Sequence, residues 1–137
     1  MTRTAAEAAQ LSPVPEWLSE HYQKVDGNDF DYLAAHFADD IEVTFANRPT
    51  ARGKQAVGAT LADFHKPFQN TTHHFKNVWS DGTRTLIAFD VNYRLNDGTE
   101  VAIESFTILE REQERIKRMR VYLDEGPLRA HGREAGR

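Results

Sequence analysis

The stretch TTHHFKNVWSDGTRTLIAFDVNYRLNDGTE, residues 71–100, decides the fold. Two runs rich in β-branched and aromatic residues, TTHHFKNVW (71–79) and TRTLIAFDVNYRL (83–95), are separated by SDG, and NDG follows the second. Asp-Gly steps favour tight hairpin turns, so these runs are expected to pair antiparallel. Further along, EVAIESFTILER (100–111) and RIKRMRVYLD (115–124) read as two more strands joined by a charged turn near Glu112–Glu114. Four such strands in succession predict an antiparallel meander.

Upstream the pattern is helical. A helix is expected to begin near Pro15, since proline is tolerated in a first turn. Leu18, Tyr22 and Val25 fall on one face, Trp17 borders it, and Gly27 ends it. NDFDYLAAHFADD (28–40) opens with the cap residues Asn28 and Asp29 and carries Phe30, Leu33, Ala34 and Phe37 at helical spacing. IEVTF (41–45) alternates as a short strand, ANRPTARG (46–53) is turn-rich, and a third helix runs from about Lys54 to Pro67. Val57, Leu61 and Phe64 form its apolar stripe, and Gly58 reads as a close-packing point. Helices followed by a long antiparallel sheet form the α+β pattern. Such a sheet is expected to curl around the helices into a cone. Its other face still carries large side chains, which points to burial against a second subunit.

The 137 residues suffice for one domain with its own core. The expected division is a loose lead-in at 1–15, a domain at 16–125 and a polar, frayed tail at 126–137. With no cysteine, thiol nucleophiles and disulfides are excluded. The net charge of −4 and the absence of a basic stripe argue against nucleic acid. Arg111, Arg115, Lys117, Arg118 and Arg120 cluster, but Glu110, Glu112 and Glu114 interleave with them. No run is apolar enough to span a bilayer, and the first residues lack the apolar stretch of a signal peptide, so a cytoplasmic protein with no membrane association is expected.

Several phrases together resemble the SnoaL-like branch of the NTF2-like superfamily: DGNDFDYLAAHFADDIEVTF (26–45), the glycine of ARGKQAV (51–57), HHFKNVW (73–79) and IKRMRVYLD (116–124). The likeness covers about residues 16–125. It implies an NTF2-like cone, three N-terminal helices packed in a curved, mainly antiparallel sheet around a deep apolar pocket. That fold hosts isomerases, hydrolases, cyclases, dehydratases and binding or assembly modules, so function must be argued from the site. The places of the two key ketosteroid isomerase carboxyls are held here by Phe45 and Phe106, and that of its helix-one tyrosine by His21. Asp124 matches the last-strand acid of limonene-type epoxide hydrolases, but their Arg-x-Asp pair falls near Asp90-Val91-Asn92. The arrangement of scytalone dehydratase and hexachlorocyclohexane dehydrochlorinase fits better. It implies Asp26 as orienter and His74 as base, with Phe45 and Val25 in place of the dehydratase phenols. The implied pocket walls include Trp17, Tyr22, Phe45, Phe64, Phe106 and Asp124.

The residues themselves leave one choice open. Strand alternation groups His73 with Phe75, Asn77 and Trp79, and His74 with Lys76 and Val78. The aromatic set favours His73 inside; the resemblance favours His74; a bulge would shift the parity. Asp26 projects from the apolar side of the first helix in its last turn, where a carboxylate opposes the macrodipole. Its bland alternative is a cap on the turn into Gly27 and Asn28. An imidazole ordinarily titrates near neutrality, so such a pair can take a proton from carbon. His21, His36, His65 and His74 lie on different elements with no ligand spacing, so no metal and no cofactor are expected. Asp90, Asn92, Arg94 and Glu104 read as a solvated polar face. The expected function is a cofactor-independent lyase or isomerase, dehydratase- or cyclase-like, acting on a small apolar or partly polar organic ligand. The rival expectations are a non-catalytic pocket for an apolar ligand and a dimerisation module, with a homodimer through the outer sheet face.

Overall fold

The computed structural model describes residues 13–135, with side chains through residue 130. Three helices, α1 (Glu16–Asp26), α2 (Phe30–Ala35) and α3 (Lys54–His65), cover one face of a six-stranded sheet. The strands are β1 (Phe37–Phe45), β2 (Ala51–Arg52), β3 (Phe68–Ser80), β4 (Arg84–Leu95), β5 (Glu100–Glu112) and β6 (Arg115–Leu123), and a last helix, α4 (Gly126–Ala135), follows. Their order across the sheet is β2-β1-β6-β5-β4-β3. The β3–β6 meander is antiparallel, as the turn residues predict, and β1 joins it parallel to β6. Gly82 and Gly98 supply positive φ in the first two hairpins. The third turn places Gln113 and Glu114 in the left-handed region without glycine.

The sheet's inner face carries the core. Phe89, Ile87, Val91 and Leu109 meet Leu18 of α1, Val57 of α3 and Ile41 and Val43 of β1, all essentially without solvent contact. Each such side chain contributes about 1.5–3 kcal/mol by leaving water. The helices are held chiefly by this burial, because eleven, six and twelve residues are too few for stable isolated helices.

β3 changes parity partway along. His73 lies opposite Val91 and Phe75 opposite Phe89, both inward; a register shift then intervenes, and Val78 rather than Asn77 takes the next inner place opposite Ile87. Asn77 and Trp79 are thereby turned to the outer face, so the aromatic alternation read from sequence holds only as far as Phe75.

Two expectations are revised. The second helix is short: His36 closes it with bonds to Tyr32 and Leu33, and its carbonyl accepts from Ile116, so Phe37 starts β1 instead of a further turn. The segment after residue 125 is not simply a polar tail. Glu125 is buried between Arg48 (2.7 Å) and Arg129 (2.9 Å), Leu128 is buried too, and residues 126–135 are helical. Most of the expected lead-in, residues 1–12, lies outside the described residues.

Gly58 is no close-packing point. It is exposed, and a Cβ built on it would meet nothing within 4 Å. The helix carries only the entropic cost of glycine there, so Gly58→Ala is expected to stabilise the protein by about 0.5–1 kcal/mol. Urea unfolding measures it; a loss of stability would mean that the glycine has a packing role after all.

Candidate functional site

The site is built where the C-terminal end of α1 meets the start of β3. Asp26, at the helix end, is an isolated acid on a largely apolar face, and three groups of β3 satisfy it. Thr71 Oγ1 donates to Oδ1 at 3.0 Å, the His73 backbone N–H donates to Oδ2 at 2.9 Å, and His73 Nδ1 lies 2.6 Å from Oδ1. A carboxylate accepts only, so the proton in the last contact sits on Nδ1. In its neutral form the imidazole is thereby fixed in one tautomer, with the lone pair on Nε2 at the far edge of the ring. Side-chain exposures of 13% for His73 and 23% for Asp26 keep the contact largely out of water, which strengthens it. Tyr22, at 4.8 Å between ring centroids, and Phe89, at 5.0 Å, pack against the imidazole and against each other.

His73 opens onto a cavity of about 60 Å³ between the helices and the inner sheet face. Its walls are mainly apolar, with Val25, Phe30, Leu33, Leu61 and Phe64 from the helices and Phe45, Met119 and Val121 from the sheet. The polar groups on them are few: His21, His65, Tyr22, Tyr93, Thr71, Ser105 and Thr107. Phe30 is 37% exposed while also lining the cavity, so it stands at the mouth, edge-on to His65 at 5.7 Å. A cavity of roughly 150 Å³ takes a benzene ring, so a ring-bearing ligand needs the mouth to open here.

The expected site residues divide. Tyr22, Phe45 and Phe64 line the cavity, and Asp26 holds the histidine on its wall. The expected pairing of Asp26 with His74 is corrected to His73: His74 is exposed opposite Asp90 on the outer face, because neighbouring strand residues point to opposite sides. Phe106 also lies on the outer face, opposite Ala88 and Tyr122, with its ring 6.2 Å from Trp79. Trp17 sits at the far end of α1 under the Arg111 guanidinium, outside the cavity. Asp124 is exposed and accepts from Gly126 N–H at 2.9 Å, capping the start of α4. His65, Tyr93, Thr71 and the burial of His21 were not singled out from the sequence. For Thr71 and His73, the alternation Thr71-His73-Phe75 was the available signal.

Burial sets the electrostatics. It holds His21 down to about 4, with the neighbouring His73, His36 and Arg111 adding repulsion, so this imidazole is neutral at pH 7. His65 is lowered by burial too, although its Nδ1 donates to the Leu61 carbonyl at 2.8 Å. Tyr22 and Tyr93 are pushed above the usual phenol range, by burial first; Thr107 partly offsets this for Tyr22, and Glu125 and Asp26 add to it for Tyr93. Both phenols therefore keep their protons and can donate.

A histidine held neutral in the folded state favours unfolding as pH falls, because the unfolded chain takes up a proton that the folded one refuses. His21 is expected to withdraw about 3 kcal/mol of stability as pH drops from 6.5 towards 4. Urea unfolding of wild type and His21→Gln at pH 7, 5.5 and 4 measures this as a shallower acid loss in the variant. Parallel losses would show that His21 is not the group responsible.

Comparison with known proteins agrees with this architecture. Among solved structures, a protein of ketosteroid isomerase-like fold from Catenulispora acidiphila DSM 44928, in complex with trimethylamine, aligns with a TM-score of 0.76 at 18% identity, over 86% of this chain and 92% of that one. An LEH-like epoxide hydrolase of M. tuberculosis aligns at 0.70 and 18% identity, over 87% and 92%. A protein of Shewanella putrefaciens CN-32 proposed to be a SnoaL-like polyketide cyclase aligns at 0.73 and 12% identity, over 89% and 99%. At these identities the likeness establishes the fold. No curated protein matches the sequence. The SnoaL-like domain family matches residues 18–119, most of the chain, and the protein belongs to that family.

Proposed function

We propose that the protein is a small-molecule lyase or isomerase in which His73 Nε2 removes a proton from carbon and Asp26 positions and charge-balances the imidazole. The observation that carries this reading is the 2.6 Å contact that locks His73 in the tautomer with a free Nε2 at the wall of an apolar cavity. A general base needs that lone pair aimed at substrate, and the imidazolium formed is stabilised by the adjacent carboxylate. The electrons of the broken C–H bond move into an adjacent carbonyl, giving an enolate. The enolate then takes the proton back at another atom, in isomerisation, or expels a leaving group from the neighbouring carbon, in elimination. With a second carbonyl in reach, it closes a ring. Family membership and the solved structures fit a cyclase, isomerase or ligand-binding role equally well.

The reaction class can be tested without knowing the substrate. In D2O, a panel of compact ketones, aldehydes and β-hydroxycarbonyl compounds is followed by proton NMR for loss of the signal α to the carbonyl. His73→Ala is expected to slow enzyme-dependent exchange by about 10²–10⁴-fold and Asp26→Asn to slow it substantially, while His74→Ala leaves it unchanged. Tight binding of an apolar member with no exchange above that of His73→Ala would instead favour the second reading, a non-catalytic pocket. That reading rests on the predominance of apolar wall.

We also propose a homodimer through the outer sheet face. Trp79, Leu86 and Ile108 form one row across β3–β5, and Ala88, Phe106 and Tyr122 a second across β4–β6. Tyr122 is 47% exposed, and the ion pairs Lys76–Glu104 and Arg118–Glu110 flank the rows. An apolar patch with a charged rim is the anatomy of an association surface. Sedimentation is expected to show a dimer for wild type and a monomer for Ile108→Glu, with secondary structure retained; a monomeric wild type at tens of micromolar would end the proposal.

A further inference from the structure

Adjoining the cavity at His21 lies a second, smaller space lined by Trp17, His21, His36, Arg111 and Glu114. Arg111 reaches it through strand parity. The inner positions of β5 run Ser105, Thr107, Leu109 and then Arg111, which pairs with the buried Ile116. A cation on the helix-covered face needs compensation, and Trp17 gives part of it, its ring centroid 3.9 Å from the guanidinium carbon. The rest is missing. Arg111 Nε is buried without a hydrogen-bond partner, and no carboxylate of the described residues pairs with this guanidinium, whereas Arg48, Arg84 and Arg118 each have one.

His21 adjoins this group. It is 4% exposed as a residue, and its ring lines both this notch and the cavity. A buried donor without a partner, as Arg111 Nε is, is uncommon and points to something that completes it. The notch holds about 40 Å³. At 10–15 Å³ per water-sized group, that is room for about three heavy atoms, the size of a carboxylate and too little for a five-atom sulfate or phosphate.

We propose that this notch binds the carboxylate of a small organic acid. Arg111 grips it through Nε–H and a neighbouring N–H, His21 donates a ring N–H, and the Trp17 ring forms the shelf beside it. The planar fork of an arginine suits two carboxylate oxygens in a way that a lysine does not. Glu114 is exposed on the wall of the notch and, among the described residues, makes no ion pair with Arg111. The site does not depend on His73 acting as a base, and its test reads binding alone.

The test is an NMR titration of 15N-labelled full-length protein at pH 7 with sodium acetate, and separately with sodium sulfate and chloride at matched ionic strength. Acetate is expected to shift the Arg111 Nε–H resonance saturably and to slow its exchange with water. In a Trp79→Phe background, Trp17 fluorescence is expected to follow the same curve. The response is lost in Arg111→Gln and weakened at least about tenfold in Arg111→Lys. A linear response, or an equal one to sulfate and chloride, would show an adventitious ion only and overturn the proposal, as would acetate binding retained by Arg111→Gln. Should that variant fail to fold, the wild type still decides. A bound carboxylate raises the His21 titration point above its burial-lowered value, so His21 ring resonances followed from pH 7 to 5.5, where acetate stays ionised, are expected to change with acetate, and no acetate-dependent change would overturn the site.

Discussion

Asp26 ends α1 with a charge that opposes the helix dipole, and the carboxylate stays there because β3 meets it with three donors. Two come from side chains, Thr71 and His73, and the third is the backbone N–H of His73. That N–H is free for a carboxylate because, among the described residues, β3 is the last strand of the sheet and has no neighbour on that side. An unpaired edge is a liability in a sheet; here, part of it is used to fasten a helix. The same contact fixes the distance between α1 and β3, the width of the cavity between them and the tautomer of the imidazole on its wall. Helix position, cavity and candidate base therefore rest on one carboxylate.

The polar groups around the cavity follow from the same economy of partners. His73 and His65 each spend Nδ1 on a fixed acceptor, Asp26 and the Leu61 carbonyl, so each keeps Nε2 as an acceptor. Tyr22 and Tyr93 are held protonated by burial and supply donors. A mainly apolar space with acceptors and donors on different walls suits a compact molecule with a polarisable carbonyl and an acidic C–H more than a pure hydrocarbon. His21 stands apart: burial above all keeps it neutral, and its ring sits edge-on to Tyr22.

Much of the fold was legible because its signals are local. Asp-Gly turns, alternation along β4 and β5 and the stripes of α1 and α3 each depend on a few neighbouring residues, and the hairpins and helices formed there. The site was legible only in part. Asp26 could be read as a misplaced charge on an apolar helix face. The choice between His73 and His74 turned on parity, and Thr71-His73-Phe75 carried the right answer; the family likeness, displaced by one residue, did not. Phe106 and Trp17 failed for a different reason. Large aromatic residues go wherever apolar surface is covered, and a sheet with apolar rows on both faces offers two such places that composition cannot separate. Asp124 was an end-of-strand acid used as a local cap, a role that short-range geometry fills far more often than chemistry does.

The register shift after Phe75 ties the two faces together. With strict alternation, Asn77 and Trp79 would follow His73 and Phe75 inward, placing an amide opposite Ile87, where Val78 now packs, and an indole opposite the buried Thr85. The core has no room for that, since Ile87 and Phe89 are already fully buried and overpacking costs about 1–3 kcal/mol. By absorbing one residue, the strand keeps His73 beside Asp26 and delivers Trp79 to the outer face beside Leu86 and Phe106. The inner site and the outer apolar rows are thus set by the same irregularity. Any change that removed it would have to give up either the imidazole on the cavity wall or the indole on the outer face.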